Sequence, residues 1–127
     1  KMGAAPHIHA HLDEISYVLE GTLGVMVGEE FKEINAGGFS LRPHSIIHSF
    51  WNPSAQPLRF FEIYCNQNFD DYLEDLFFNR IAYMTKHNLN ADDPLISKWA
   101  KDLHDEFGLT FFPEQGKAII EKFGLLP

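Results

Sequence analysis

The stretch Pro6-His7-Ile8-His9-Ala10-His11-Leu12-Asp13-Glu14 puts three imidazoles and two carboxylates within eight residues. Side chains alternate along a strand, so His7 and His9 share a face and can grip one ion. Glu14 follows His9 by an odd step of five, and a straight strand would aim it the other way. A bend or bulge near Leu12 and Asp13 must reset the alternation. His48, on a later strand, supplies a third imidazole. Three neutral imidazoles and one carboxylate suit one divalent transition metal (Fe, Ni, Mn, Cu or Zn) and leave positions open for water or substrate. The alternative is a scatter of unrelated surface histidines, against which the crowding of the segment speaks. His11 shares the parity of His7 and His9, but the required bend removes that argument and places it in the turn. His44 is expected at a rim, and His87 and His104 on a helical surface.

The elements that must position these groups fall into two kinds. Up to about residue 66 the chain is rich in Val, Ile, Phe, Gly and Pro. It reads as strands at about 5–10, 14–20, 22–27, 31–34, 38–42, 46–51 and 57–64, punctuated by Gly21, Gly28, Gly37, Gly38, Pro43, Pro53 and Pro57. Beyond it, apolar spacing turns helical. One helix is expected over about 70–86 with a stripe of Leu73, Leu76, Phe77, Ile81 and Met84. A second follows Asp92 and Asp93, with Pro94 in its first turn and Gly108 closing it, its stripe being Leu95, Trp99, Leu103 and Phe107. A third runs from near Pro113 to Gly124 through Ile119, Ile120 and Phe123. The expected division is a β-barrel over 1–66 and a helical extension over 67–127 that packs on it.

Composition narrows the function classes. The chain has 127 residues, 45% of them hydrophobic and 22% charged, which suits a single globular domain. Its formal net charge of −8 repels nucleic acid and anionic membranes. No apolar run approaches a membrane span. The single cysteine, Cys65, forms no intrachain disulfide. A cytoplasmic location is expected.

Two spaced patterns carry a family resemblance. Gly3-(x3)-His7-x-His9-(x4)-Glu14-(x6)-Gly21 resembles the first motif of the cupins. Gly37-(x5)-Pro43-x-Ser45-(x2)-His48-(x3)-Asn52 resembles the second, and Tyr17-Val18-Leu19-Glu20-Gly21 matches the usual continuation between them. The resemblance covers about positions 3–65. It implies a mainly β fold, a jelly-roll β-barrel followed here by the α-helical segment, with His7, His9, Glu14 and His48 as metal ligands. Ser45 stands where the family has Gly. If that turn needs a positive φ, the serine costs on the order of 1 kcal/mol. Only six residues precede His7, so strands that normally come before the first motif are expected to be missing.

The same alternation sketches a pocket. With His48 inward, Ile46 and Phe50 follow, as do Ser16 and Val18 after Glu14, and one of Phe60 and Phe61. The expectation is an apolar pocket with a metal at its floor, open to a small aromatic or enolic molecule. Arg42 and Arg59 are expected in solvated or structural pairs, Glu62 being one partner. The short barrel, the ligand set and Pro57-Leu58-Arg59-Phe60-Phe61-Glu62-Ile63 resemble the quercetinase-like cupins. That implies a metal-dependent dioxygenase, the ion acting as Lewis acid on an enol or phenol oxygen, with Glu14 also taking the substrate proton. Other readings are a cupin that binds a small ligand without turnover, and a sugar isomerase or epimerase. The latter wants more basic groups than the barrel offers. Apolar residues on both faces of the second strand, Tyr17 and Leu19 among them, suggest a homodimer.

Overall fold

The computed structural model describes residues 1–125. Seven strands come first: β1 (Met2–His9), β2 (Asp13–Glu20), β3 (Thr22–Val27), β4 (Glu30–Asn35), β5 (Phe39–Arg42), β6 (His48–Trp51) and β7 (Arg59–Cys65). A helical run follows: α1 (Asp70–Glu74), a π-helical stretch Asp75–Ile81, and α2 (Ala82–His87). Then come α3 (Pro94–Phe107), a short strand β8 (Leu109–Phe111) and α4 (Pro113–Phe123). The strands form two antiparallel sheets, one ordered β4-β3-β6-β1-β8 and one ordered β5-β2-β7. This is the jelly-roll arrangement expected from the short strands and their Gly/Pro turns, with a helical segment after it.

The step between β1 and β2 is the first device that builds the site. His9 ends a strand of the larger sheet and Glu14 lies near the start of a strand of the smaller one. The chain crosses the gap at Ala10–Leu12, so two residues with conflicting parity both face inward. Two backbone bonds hold the crossing: Ala10 N–H donates to the Gly108 carbonyl at 2.9 Å and Ser45 N–H to the His9 carbonyl at 2.7 Å. Leu12 anchors it in a buried cluster with Phe69, Tyr72, Leu103, Phe107 and Leu109.

Several elements differ from the sequence expectation. The second half is not only helical. β8 returns to pair with β1, His7 opposite Phe111 and His9 opposite Leu109. A three-residue strand is too short to show alternation, so it was not legible. The first helix runs where expected, but its π-helical turns close i→i+5 bonds and rotate the face. Tyr72 and Arg80 are buried, while Phe77 and Ile81 of the expected stripe are exposed. In α3 the Asp93 carboxylate accepts from Leu95 N–H and Gly108 closes the helix at φ 63°, as the start and stop signals require. Its buried stripe begins at Ile96, not Leu95.

Burial sorts the sheet faces. α4 lays Ile119 on Met26 and Trp51, covering the outer face of the larger sheet. Val18, Leu23 and Val25 fill the interior, with Phe50, Leu58 and Phe60 against them. The outer face of the smaller sheet is uncovered in this chain: Tyr17 lies between Phe39 and Phe61 in register, and all three are exposed, with Leu19, Leu41 and Ile63.

Ser45 takes φ 62° in the turn before β6. A Cβ is strained there and glycine is not. Ser45→Gly keeps the N–H bond to His9 and is expected to raise stability by roughly 0.5–1 kcal/mol in urea denaturation. A loss of stability would show that the hydroxyl compensates the strain.

Candidate metal centre

His7, His9, Glu14 and His48 meet at one end of the barrel. Each offers a ligand atom, and these atoms all lie within 4.8 Å of one another. All four residues are buried. The register explains the meeting. His7 is paired with His48 across β1 and β6, and their ring centroids are 4.4 Å apart. His9, two residues on, faces the same way, its centroid 5.0 Å from that of His7. Glu14 enters from the opposite sheet, with Oε2 at 2.8 Å from His48 Nε2 and Oε1 at 3.6 Å from His9 Nε2.

The proton positions decide what this cluster can do. His7 Nδ1 lies 2.7 Å from the Ala5 carbonyl, and His48 Nδ1 lies 3.0 Å from the Ile46 carbonyl. A carbonyl only accepts, so each Nδ1 donates, and when the ring is neutral its Nε2 is left to offer a lone pair. His48 Nε2 lies 2.8 Å from Glu14 Oε2, a separation that a proton or a shared cation can bridge. Neither ring nitrogen of His9 has a hydrogen-bond partner among the described residues. Buried lone pairs converging without a proton between them are unfavourable unless a cation sits among them. Three imidazoles and a carboxylate form a donor set for a divalent transition ion. The cluster fits the metal that the sequence implied, and it fixes no choice among Fe, Ni, Mn, Cu and Zn.

Burial and mutual charge set the protonation states. Burial, with His48 adjacent, pushes His7 down to about 3. Burial alone would raise Glu14, but His48, His9 and the Arg42 guanidinium outweigh it and hold the carboxyl below the usual carboxylate range. A carboxylate so stabilised is a ligand and a hydrogen-bond acceptor. The proton-acceptor role expected of Glu14 also requires a value near the working pH.

The expected pocket residues separate. Ser16, Val18, Phe50 and Phe60 lie on the inner faces. Phe61 is 61% exposed on the outer face, because it shares parity with Tyr17 opposite and Phe60 takes the inner position. Ile46 precedes β6 in a turn and is 40% exposed, so strand alternation from His48 does not reach it. The interior beside the centre is also more polar than expected. Arg42 is fully buried and donates through Nη2 to Ser16 Oγ at 2.6 Å and to Glu62 Oε1. Ser16 donates to Glu62 Oε2 at 2.9 Å. Burial raises the Glu62 carboxyl and Arg42 opposes that rise. Tyr64 was not singled out from sequence. It faces Glu14 across β2 and β7, and burial, with Glu62 and Glu14 nearby, pushes its phenol up to about 12. Once Phe60 is placed inward, alternation carries Glu62 and Tyr64 inward too. Phe69 and Phe111 close the site over His9 and His7, at centroid separations of 4.9 and 5.3 Å. His11 is exposed in the crossing, and His44 pairs with Asp13 at the rim.

A model of the cupin domain matches residues 1–64, half of the chain. The chain belongs to the cupin family. Three solved structures are similar to it over about half of the chain. KdgF from Halomonas sp. shares 22% identity at a TM-score of 0.50, over 56% of this chain and 63% of that one. TT1209 from Thermus thermophilus is 31% identical at a TM-score of 0.46, over 48% of this chain and 58% of its own. A Klebsiella pneumoniae protein with a double-stranded β-helix domain is 22% identical at 0.46, over 50% and 53%. This chain therefore spans less than two thirds of the length of each, and KdgF bears on the fold alone. No curated protein matches the sequence.

Two measurements test this cupin site. His48→Ala is expected to cut metal affinity by more than the roughly 10–100-fold that losing an outer partner of a ligand costs. Metal analysis after dialysis reads it, and full retention would remove His48 from the ligand set. The second is pH dependence in the metal-free protein. His7 takes a proton below 6.5 when unfolded but only near 3 when folded, so the unfolded chain binds more protons in that window. Stability is therefore fully present above 6.5 and falls as the pH drops toward 3. Above 4.5, where Glu14 does not yet contribute, His7→Phe is expected to flatten the slope in denaturation curves. An unchanged slope would mean that His7 is not buried as a neutral ring.

Proposed function

We propose that this cupin is a metal-dependent oxygenase acting on a small enolic or aromatic substrate, in the manner of the quercetinase-like members. The observation that carries the reading is the buried three-histidine, one-glutamate donor set with two Nε2 lone pairs fixed inward by backbone carbonyls. A bound divalent ion would supply Lewis-acid polarisation of a substrate enol or phenol oxygen.

The chain's own residues supply the rest. His7 and His48 are held in one tautomer before any ligand arrives, so no reorganisation is needed on binding. Glu14 stays ionised between His48 and Arg42 and keeps the donor set anionic. Phe69 packs edge-on against His9 from the buried cluster and Phe111 lies against His7, so the two rings wall that side of the centre. Glu14 is kept ionised by its neighbours, as a ligand must be.

The test is oxygen consumption by protein loaded in turn with iron, nickel and manganese, against a panel of flavonols and 1,3-diketones. Uptake that needs both metal and substrate, and falls at least about a hundredfold in Glu14→Gln, is expected. A fully loaded protein that consumes no oxygen with any of them, yet gains melting temperature from the same compounds, would instead make it a binding protein.

A further inference from the structure

Arg42 has no solvent exposure, yet two of its three nitrogens, Nε and Nη1, have no hydrogen-bond partner among the described residues. Only Nη2 is engaged, by Ser16 and Glu62. Nη1 stands 3.5 Å from Glu14 Oε2, beyond normal hydrogen-bond length, on the side of the donor cluster. The guanidinium carbon lies 5.3 Å from the Phe50 ring centroid, which fixes the group from another side. A purely structural ion pair would be expected to satisfy its buried N–H groups. This one is tied by hydrogen bonds at one nitrogen and keeps another, in ion-pair range of Glu14, without a hydrogen bond beside the metal ligands.

Charge points the same way. Imidazoles must be neutral to ligate, and with Glu62 ionised against Arg42 the charge that remains is the one on Glu14. A divalent cation among the four donors leaves the buried centre one positive charge in excess, and a monoanion restores neutrality. Between the edge strands β4 and β5 runs a groove of about 630 Å³, lined by Val27, Ser40 and Ile46 and by the charged Glu29, Glu30 and Lys32. Ser40 and Arg42 share the inner face of β5, while Val27 is paired with His48. The groove runs along the strands that carry the guanidinium and one ligand, with Arg42 and the four ligands lying behind its lining.

We propose that Arg42 Nη1 is the anchor for the carboxylate of a small organic acid, whose neighbouring hydroxyl, oxo or enol oxygen occupies an open position of the metal. This rests on the metal-site reading above and narrows its substrate class to monoanions. Ser16 and Glu62 hold the guanidinium from behind so that Nη1 stays aimed at the centre.

The test is calorimetric titration of zinc-loaded protein, which turns nothing over, with salicylate against salicylamide and pyruvate against pyruvamide. The carboxylates are expected to bind at least about tenfold tighter than their amides. Arg42→Met leaves Glu62 buried without its partner, so the double variant Arg42→Met/Glu62→Met removes both charges together. It is expected to keep one zinc per chain and lose the preference for carboxylates. Equal binding of acid and amide by the wild type, or a preference that survives in the double variant, would overturn the proposal. Zinc lost only from the double variant would also overturn it and assign Arg42 to holding Glu14. Failure of the wild type to bind zinc at all would defeat the metal-site reading itself.

Discussion

Three imidazoles and a carboxylate converge on one buried point inside the protein. That constraint organises the rest. Exposed, these groups would be solvated and free to turn. Here burial removes water, and the Ala5 and Ile46 carbonyls take up the Nδ1 protons of His7 and His48. The inward-facing nitrogens and the carboxylate form a donor set that a shared cation satisfies. The centre is thus a site by virtue of what its neighbours deny it.

The fold serves that convergence through three local devices. The crossing at Ala10–Leu12 lets His9 and Glu14 face each other from different sheets. The left-handed turn at Ser45 swings the chain into β6 so that His48 enters opposite His7. Strand β8 then extends the sheet beyond β1 and brings Phe111 over His7, while Phe69 and the buried cluster around Leu12 close the end. The helical half is therefore part of the site's wall. The cost of a serine at positive φ is tolerated because the turn delivers a ligand.

Much of this was legible in the residues. Parity alone paired His7 with His9 and required a break before Glu14, and the two spaced motifs added His48. The capping signals of α3, Asp93 with Pro94 and then Gly108, marked its ends. What stayed hidden had physical reasons. Phe60 and Phe61 are equivalent in sequence, and only the register with β2 decides which enters. The π-helical turns move the buried face off the 3.6-residue stripe. Arg42 reads as an ordinary surface cation until β5 is seen to turn it inward, opposite Glu14. The donor types at the centre were plainer in the residues than the polar layer beside them.

The central claim is that four side chains bind one ion together, and X-ray absorption spectroscopy of the zinc-loaded protein addresses it directly. A first shell of three imidazole nitrogens and at least one oxygen at about 2.0–2.2 Å is expected, with the outer-shell scattering of three rings. A spectrum with only oxygen neighbours, or with fewer than three imidazoles, would contradict it.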